Sequence, residues 1–295
     1  DSEIVSITVS NLVPVISSLS PTNGPLAGGT IVVITGQNFA TATGVSFGGT
    51  AATSFVVDSA TQITAVSPAK SAGQVDVAVT NTNGTSANTI NDNFTYFYVK
   101  KADASRVYGL ELEHMLSPYN LHFLVYEDTM IEEHISGIPG DVFIENMLDH
   151  LKPHEKSQIA KEFVKFNERC MIRLLGDMRS YNYVIIPIHD FDKVIYKIRA
   201  IDFDQQCYEG NLKIYRPQFF KENLNMVMLI KEHLTKTSVD QYKIEERATV
   251  ARRILGNEIR LTHLLKCMLN DHISTPEKIE QLREEVYELT KQVSF

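Results

Sequence analysis

The composition of the chain changes abruptly near residue 98, and this change constrains the fold more than any single motif. Of the 295 residues, the first 98 contain one basic residue, Lys70, and nine of the 15 glycines, but no histidine, methionine or cysteine. The remaining residues contain 27 of the 28 lysines and arginines and every histidine, methionine and cysteine. A chain of this length carries a prior expectation of two domains. The sequence therefore predicts two domains of different character that meet near residue 98.

Net charge and hydropathy argue against two classes of function. The formal charge of −8 at pH 7 offers no evident basic face, so we expect no nucleic-acid binding. No apolar run approaches the roughly 20 residues of a membrane-spanning helix, and no leader peptide is visible, so no membrane span is expected. Three cysteines, an odd number without metal-ligand spacing, indicate free thiols in a reducing compartment. These features leave the oligomeric state open.

Residues 11–98 have the pattern of an all-β domain. Short runs rich in Val, Ile, Thr and Phe alternate with Gly, Pro and Asn clusters every 8–12 residues or so, which is typical of a β-sandwich. Within residues 75–80 the strict alternation of polar and apolar side chains places one face of a strand on a core. The predicted strands are Ile31–Thr35, Gly44–Phe47, Ser54–Val57, Gln62–Val66 and Val75–Thr80.

Several phrases of this first segment follow one another in a recognisable order. Ile16–Thr30, with its Pro-Thr-Asn-Gly and Gly-Gly turns, is followed by Gly36–Phe39, Val45–Gly49 and Phe94–Tyr96. Together they resemble the IPT/TIG family of immunoglobulin-like domains. The resemblance implies a spacer, adhesion or interaction unit over residues 11–98 and a cell-surface or secreted context. Residues 1–10 are interpreted as the remnant of a preceding module or a leader strand.

Residues 99–295 change to a mixed α/β pattern that becomes helical toward the end. An apolar stripe at helical spacing predicts a helix over Ala104–Leu116, with Asp103 or Ser105 as the candidate N-cap. Two strands are predicted next, at Leu121–Glu127 and Met130–His134. Two helices, a strand pair and four further helices are predicted after them, at Ile144–Leu151, Glu155–Leu175, Val184–Ile188, Val194–Ile201, Phe219–Leu234, Ile244–Leu255, Glu258–Leu269 and Pro276–Val293.

Two acidic phrases flank the predicted strand pair. Asp177 and Asn182 precede its first strand, and Asp202 and Asp204 follow its second strand. A hairpin between the phrases would bring them side by side, although 20–25 residues of sequence separate them. Phosphoryl transfer needs a carboxylate that orients the attacking hydroxyl, and hard oxygen ligands that hold Mg²⁺ on the phosphates. The spacing and order of these residues resemble the catalytic and metal-binding loops of the protein-kinase-like fold.

The elements before these phrases extend the resemblance. A lysine, Lys100 or Lys101, ends a predicted strand, and Glu111 lies on the inward stripe of the next helix. Residues 130–137, which contain Glu133 and His134, look like a strand that runs into a hinge. The whole order is similar to the aminoglycoside phosphotransferase and choline kinase family. Two features depart from that family: Leu175 stands before Gly-Asp in place of histidine, and no glycine-rich loop is evident.

The kinase-like resemblance implies a role for each of these residues. Asp177 would be the catalytic carboxylate, Asn182 and Asp202 would bind Mg²⁺, and Asp204 would assist. Lys100 or Lys101 would hold the phosphates of ATP with Glu111 as its partner, and the hinge with Glu133 and His134 would bind the adenine.

The predicted fold class is therefore an all-β immunoglobulin-like sandwich followed by an α+β protein-kinase-like domain with a reduced small lobe and a helical large lobe. The predicted function is ATP- and Mg²⁺-dependent phosphoryl transfer to a hydroxyl of an unknown acceptor. A non-catalytic pseudokinase scaffold that carries an immunoglobulin-like spacer, in a natural or artificial fusion, is the alternative. The need for ATP and the free thiols place the kinase-like part in the cytoplasm.

Overall fold

A computed structural model gives the structure of the chain and describes residues 12–190 and 193–293. The chain divides into two compact units. The first unit comprises the described residues up to Lys100 together with Ile131–His134. The second unit comprises Lys101–Met130 and the described residues from Ile135 onward. The predicted preceding module, residues 1–10, lies outside the described residues.

The first unit is built from two β-sheets, as its alternating sequence predicts. One sheet has the strand order β1-β3-β7-β6, and the other contains β10-β8-β4-β5, with β2 on β10 and β9 on β8. The strands are β1 (Val15–Ser20), β2 (Asn23–Pro25), β3 (Ile31–Gln37), β4 (Ala42–Phe47), β5 (Thr50–Ala51), β6 (Ser54–Ser59), β7 (Gln62–Val66), β8 (Gly73–Asn81), β9 (Gly84–Thr85) and β10 (Asn93–Lys101). All five predicted strands are confirmed, and β7 has the predicted bounds.

Alternate side chains of these strands meet in one apolar core. In β3, Val32 and Ile34 are fully buried, while Ile31, on the opposite face of the strand, is 64% exposed. Phe94 packs edge-to-face on both Phe47 and Tyr96, with ring centroids 5.2 and 5.1 Å apart. Such pairs of aromatic rings add to the stabilisation that burial alone provides. Burial of these apolar side chains is therefore a main contribution to the stability of this unit.

The boundary between the units differs from the predicted one at residue 98. Strand β10 continues through this position to Lys101, so that Val99 and Lys100 belong to the sandwich unit. Ile131–His134, which the sequence placed in the second domain, also belongs to the first unit, and Glu132 there forms an ion pair with Lys100. Strand β10 runs through residue 98 without a turn residue, so the change in composition does not coincide with the structural boundary.

The second unit combines a small sheet with a group of helices. Its three-stranded sheet has the order β13-β14-β15. The elements that follow β10 in the chain are α1 (Ala104–Leu116), β11 (Phe123–Tyr126), β12 (Thr129–Glu132), β13 (Ile138–Pro139), α2 (Gly140–Asn146), α3 (Pro153–Arg173), β14 (Tyr183–Asp190), β15 (Lys193–Ala200), α4 (Leu224–His233), α5 (Lys236–Gly256), α6 (Glu258–Asn270) and α7 (Pro276–Val293).

Helix α3 lies at the centre of the second unit. Its apolar residues Phe163 and Phe166 pack on Tyr183 of β14, with ring centroids 6.4 and 5.2 Å apart. The same helix buries two arginines. Arg169 forms an ion pair with Glu246 of α5 at 3.0 Å and donates to the carbonyl oxygen of Ile198 in β15 at 3.1 Å, so it joins three elements.

The second buried arginine, Arg173, forms an ion pair with Glu113 of α1, and both side chains are buried. Together, the two buried pairs link α3 to α1 and to α5 inside the core.

Most predicted helices of this unit are confirmed with small shifts, and α1 and α7 have the predicted bounds. Three predictions are wrong in extent. The helix predicted at Ile244–Leu255 begins much earlier, at Lys236. The helix predicted at Ile144–Leu151 begins at Gly140 and ends at Asn146.

The helix predicted from Phe219 begins only at Leu224. The buried Asn223 amide explains the late start, because its Nδ2 donates to the carbonyl oxygens of Met178 and Pro217 at 2.9 and 2.8 Å. The protein-kinase-like nature of this α and β arrangement stays a prediction.

Candidate functional site

The hairpin of β14 and β15 brings the two acidic phrases together, as the sequence predicts. The strands pair antiparallel from Tyr183 opposite Ala200 to the far end of the hairpin. Just beyond this pairing, the backbone NH of Ile201 donates to the carbonyl oxygen of Asn182 at 3.0 Å. The loops that carry Asn182 and Asp202 therefore leave the same end of one hairpin.

A second set of backbone contacts closes the site from the side of α3. Leu174 ends this helix in a left-handed conformation, with φ of 56°, and turns the chain toward Asp177. The NH of Gly176 then donates to the carbonyl oxygen of Gln205 at 3.1 Å, and the NH of Cys207 donates to that of Leu174 at 2.9 Å. These bonds hold residues 174–177 against residues 205–207.

Helix α1 approaches the same loop closely. The hydroxyl of Ser105 donates to the carbonyl oxygens of Asp204 and Gln206 at 2.8 and 3.0 Å. A Cβ atom at Gly109 would lie only 2.8 Å from the carbonyl oxygen of Phe203, a distance that real side chains do not tolerate. Glycine at position 109 therefore lets α1 pack directly on the loop that carries Asp202 and Asp204.

Asp177 occupies an unusual backbone conformation. Its φ of 53° lies in the left-handed region, which a residue other than glycine adopts at a cost of about 1–3 kcal/mol. The loop holds this conformation because Asn182 Nδ2 donates to the carbonyl oxygen of Asp177 at 2.7 Å. The side chain of Asp177 is 34% exposed. Conformations of this kind concentrate at functional sites, and here the carboxylate stays accessible to a reactant.

An arginine that the sequence analysis missed holds the Asp177 carboxylate. Arg179 Nε donates to Asp177 Oδ1 at 2.8 Å, and Nη1 donates to Glu222 Oε1 at 2.9 Å. The guanidinium also lies over the ring of Phe220, 5.2 Å from its centroid. The hydrogen bond to Asp177 raises the pKa of Arg179. From the sequence, Arg179 could have been recognised as a partner of Asp177 because it follows that residue by two positions.

A second arginine lies among the acidic residues of the other phrase. Arg106 Nη2 is 3.5 Å from Asp204 Oδ2 and 3.9 Å from Asp202 Oδ1. Its Nη1 is 2.9 Å from Asp103 Oδ2, and Asp103 caps the start of α1 by accepting from the NH of Arg106. The sequence predicts Asp103 as a candidate N-cap, but it does not indicate that the side chain of Arg106 reaches Asp202 and Asp204.

Burial and neighbouring charges change the pKa of Asp204. Partial burial raises the pKa of Asp204, and the negative charges of Asp202, Asp103 and Asp177 raise it further, while Arg106 opposes them. Asp204 is thus close enough to the three other carboxylates to respond to their charge. A site with several negative charges and partial burial favours a bound cation.

The oxygen donors here suit Mg²⁺ by their chemistry, because it is bound in proteins through one or two carboxylates plus phosphates and water. Asp202, Asp204 and the amide of Asn182 supply such oxygens, and each is partly exposed. Among residues 12–190 and 193–293, no group of three or more His, Cys, Asp or Glu side chains is arranged to hold a metal ion. The chain would therefore contribute at most part of a coordination shell, and phosphate and water would have to complete it.

Lys100 and Glu111, which the sequence predicts as a pair at the phosphates of ATP, each form an ion pair with another residue. Lys100, in the first unit, forms an ion pair with the buried Glu132 and lies over the ring of Tyr98. Glu111, in the second unit, forms an ion pair with Arg260 of α6 at 2.6 Å. Each of these charges therefore has an opposite charge within its own unit, and the predicted roles of Lys100 and Glu111 at ATP stay predictions. Lys101 is exposed.

The predicted hinge is only partly a strand. Strand β12 ends at Glu132, one residue before Glu133. His134 is exposed, and its ring centroid is 5.9 Å from that of Tyr98. A role of Glu133 and His134 in adenine binding stays a prediction.

Among the described residues, none of the helices is both long and apolar enough to cross a membrane.

Comparison with known families identifies the first part of the chain. Residues 14–98 match the family described as IPT/TIG domain. This range includes every strand from β1 to β9 and the first part of β10, and it agrees with the immunoglobulin-like sandwich that the sequence predicts. The chain therefore contains an IPT/TIG domain at residues 14–98, and this family accounts for less than half of its length.

Solved structures show more distant similarity. The extracellular region of plexin A4 matches with 24% identity and a TM-score of 0.26, over 29% of this chain and 8% of that one. Gamma-CGTase from alkalophilic Bacillus clarkii matches with 27% identity and a TM-score of 0.27, over 32% of this chain and 14% of that one. This chain thus spans a small part of either protein, and TM-scores this low say nothing about its function. No curated protein matches it.

Proposed function

We propose that the second unit is a phosphotransferase that uses Mg²⁺ and ATP and acts on a hydroxyl of a small molecule or a protein. One observation carries the proposal: the β14–β15 hairpin brings the loop of Asp177 and Asn182 beside the loop of Asp202 and Asp204, so that a carboxylate for the acceptor and oxygen ligands for Mg²⁺ share one site. The raised pKa of Asp204, caused by burial and by the charges of Asp202, Asp103 and Asp177, agrees with such a concentration of carboxylates.

In this proposal Asp177 acts on the acceptor. Its carboxylate orients the hydroxyl and takes up its proton as the oxygen bonds to the terminal phosphorus, while the bond from that phosphorus to the bridging oxygen breaks and ADP leaves. Arg179 orients the carboxylate through the 2.8 Å hydrogen bond to Oδ1. Mg²⁺, held by Asp202 with Asn182 and Asp204, would neutralise phosphate charge when bound.

Calorimetric titration with ATP, in the presence and absence of Mg²⁺, tests the site. The wild type is expected to bind ATP in a Mg²⁺-dependent manner, and Asp202→Asn is expected to lose this binding because a carboxylate ligand is removed. Asp177→Ala is expected to bind like the wild type but to transfer no γ-phosphate to a panel of hydroxyl compounds or to the protein itself. Asp128→Asn, at an exposed position of the same unit, is the matched control.

A non-catalytic interaction scaffold is the second candidate. It is favoured by the arginine partners of the acidic groups: Arg179 at Asp177, and Arg106 near Asp202 and Asp204. Such pairs balance the carboxylates without a metal. Absence of Mg²⁺-dependent ATP binding by the folded wild type would favour this candidate, with the IPT/TIG domain as a spacer or interaction module. The cell-surface context implied by that domain and the cytoplasmic context of a kinase both stay predictions.

A further inference from the structure

We propose that Arg106 is the cation that contacts the nucleotide phosphates in the second unit, in place of the strand lysine that the sequence suggested. Arg106 would then be the residue that distinguishes a nucleoside triphosphate from the nucleoside. The inference rests on the proposed function and adds a specificity-determining residue to it.

The first argument concerns the lysines. Lys100 belongs to the sandwich unit, where it is paired with the buried Glu132. Lys100 is therefore already engaged by a buried carboxylate within the sandwich unit, and breaking a buried ion pair is unfavourable. Lys101 is exposed, and its recorded contact with Arg106 is through its backbone carbonyl oxygen.

The second argument concerns how Arg106 is held. Nη1 donates to Asp103 Oδ2 at 2.9 Å and to the carbonyl oxygen of Lys101 at 3.2 Å. These two bonds fix the guanidinium at the start of α1, with 16% of the side chain exposed. A cation positioned in advance loses little conformational freedom when it binds an anion.

The third argument concerns the opposite edge of the same guanidinium. Nη2 is 3.5 Å from Asp204 and 3.9 Å from Asp202, longer than the roughly 2.7–2.9 Å of a charge-assisted hydrogen bond. Nε is buried and has no hydrogen-bond partner. Nε and Nη2 lie on one edge of the planar group, and this edge is the one that binds phosphate or carboxylate with two parallel hydrogen bonds. The edge that faces the acidic site is thus the one whose hydrogen-bonding capacity is least used.

The position of this edge specifies the ligand class. Asp202 and Asp204 are the carboxylates proposed to hold Mg²⁺, and phosphate oxygens share that ion in nucleotide sites. An oxyanion that arrives with a divalent cation at these carboxylates meets the Arg106 edge directly. The expected ligand is therefore the polyphosphate of a Mg²⁺–nucleotide complex, rather than a free carboxylate or an isolated metal ion.

The test compares Mg²⁺–ATP, ADP, AMP and adenosine by calorimetry on the full chain. Arg106→Gln is expected to weaken Mg²⁺–ATP binding by about 10- to 100-fold and to leave adenosine binding unchanged, because only the phosphate contact is lost. Arg106→Lys keeps the charge without the two-donor edge and is expected to fall between the wild type and Arg106→Gln. Arg252→Gln, at an exposed position of α5, is the matched control and is expected to bind like the wild type.

The outcomes separate this inference from the proposed function. If the wild type binds Mg²⁺–ATP and both Arg106 variants bind it equally well, Arg106 is not the phosphate contact although the site exists. An equal loss of ATP and adenosine affinity in a folded Arg106→Lys variant would assign Arg106 a purely structural role and overturn the inference. No binding of Mg²⁺–ATP by the wild type would overturn the inference and the proposed function together. The circular dichroism of each variant at 222 nm checks that it is folded.

Discussion

The two units of the chain use different chemistry in their interiors. In the IPT/TIG domain, residues 14–98, the buried side chains are almost all apolar, and the buried acid Asp92 serves as part of a local cap with Thr89. In the second unit, two arginines of one helix are buried with carboxylates from two other helices, as Arg169 with Glu246 and Arg173 with Glu113. The first interior is held mainly by hydrophobic burial, and the second depends also on charge complementarity.

The difference shows which contacts each unit can lose. Apolar contacts are non-directional, so a smaller side chain costs free energy in proportion to the volume lost. A buried ion pair contributes little net stability, but removal of one partner leaves the other charged in a low-dielectric interior. We therefore expect graded effects of substitution in the sandwich and strongly non-additive effects in the second unit.

The largest expected effect tests this non-additivity at Arg169. Arg169→Met leaves Glu246 buried without its counter-charge and is expected to destabilise the second unit by about 3–5 kcal/mol. Burial lowers the pKa of Arg169, but the charges of Glu246, Tyr119 and Glu162 and the hydrogen bond to Glu246 together raise it above its ordinary value. Urea unfolding followed at 222 nm measures the change, since the α-helices among the described residues lie in this unit.

The double variant Arg169→Met/Glu246→Leu is the control for that measurement. Two apolar side chains can replace a buried pair at little cost, so the double variant is expected to regain much of the stability lost by Arg169→Met. A double variant at least as unstable as the sum of the two single variants would show that the charges do not interact. It would also remove the contrast between the two interiors.

A smaller and graded effect is expected in the sandwich at Ile34. This side chain is fully buried in β3, and Ile34→Val is expected to cost about 0.5–1.5 kcal/mol through loss of one methylene. Ile31→Val, three residues earlier in the same strand, is the matched control, because Ile31 is 64% exposed and should lose almost nothing. Amide hydrogen exchange of β3 and β7 measures the stability of this unit alone. Equal effects of the two substitutions would contradict the predicted burial pattern.

The sequence predicted the sandwich far better than the candidate site, and the reason is physical. When apolar and polar residues alternate, the pattern predicts a strand with one face on a core. Val75–Thr80 has this alternation and lies in β8. The convergence of Asp177 with Asp202 was also predictable, because one hairpin joins the two phrases. Arg106 and the ion-pair partners of Lys100 and Glu111 were not, because long-range contacts of a charged side chain leave no local periodicity.

The smallest expected effect concerns the three thiols, all of which lie in the residues after 98. Burial raises the pKa of Cys170 to about 12, although the charge of Arg169 opposes it, and burial also raises the pKa of Cys207. At pH 8 the thiolate of Cys170 would be roughly one part in ten thousand, and alkylation requires the thiolate. Cys267 is exposed.

Iodoacetamide at pH 8 should therefore modify Cys267 first and leave Cys170 intact until the second unit unfolds. Peptide mass spectrometry over a time course measures this order. Arg169→Met should accelerate the labelling of Cys170 by loosening this interior, whereas Ile34→Val should not. Rapid labelling of Cys170 in the folded wild type would mean that solvent reaches the charged interior of the second unit. The interiors of the two units would then differ in hydration rather than in charge.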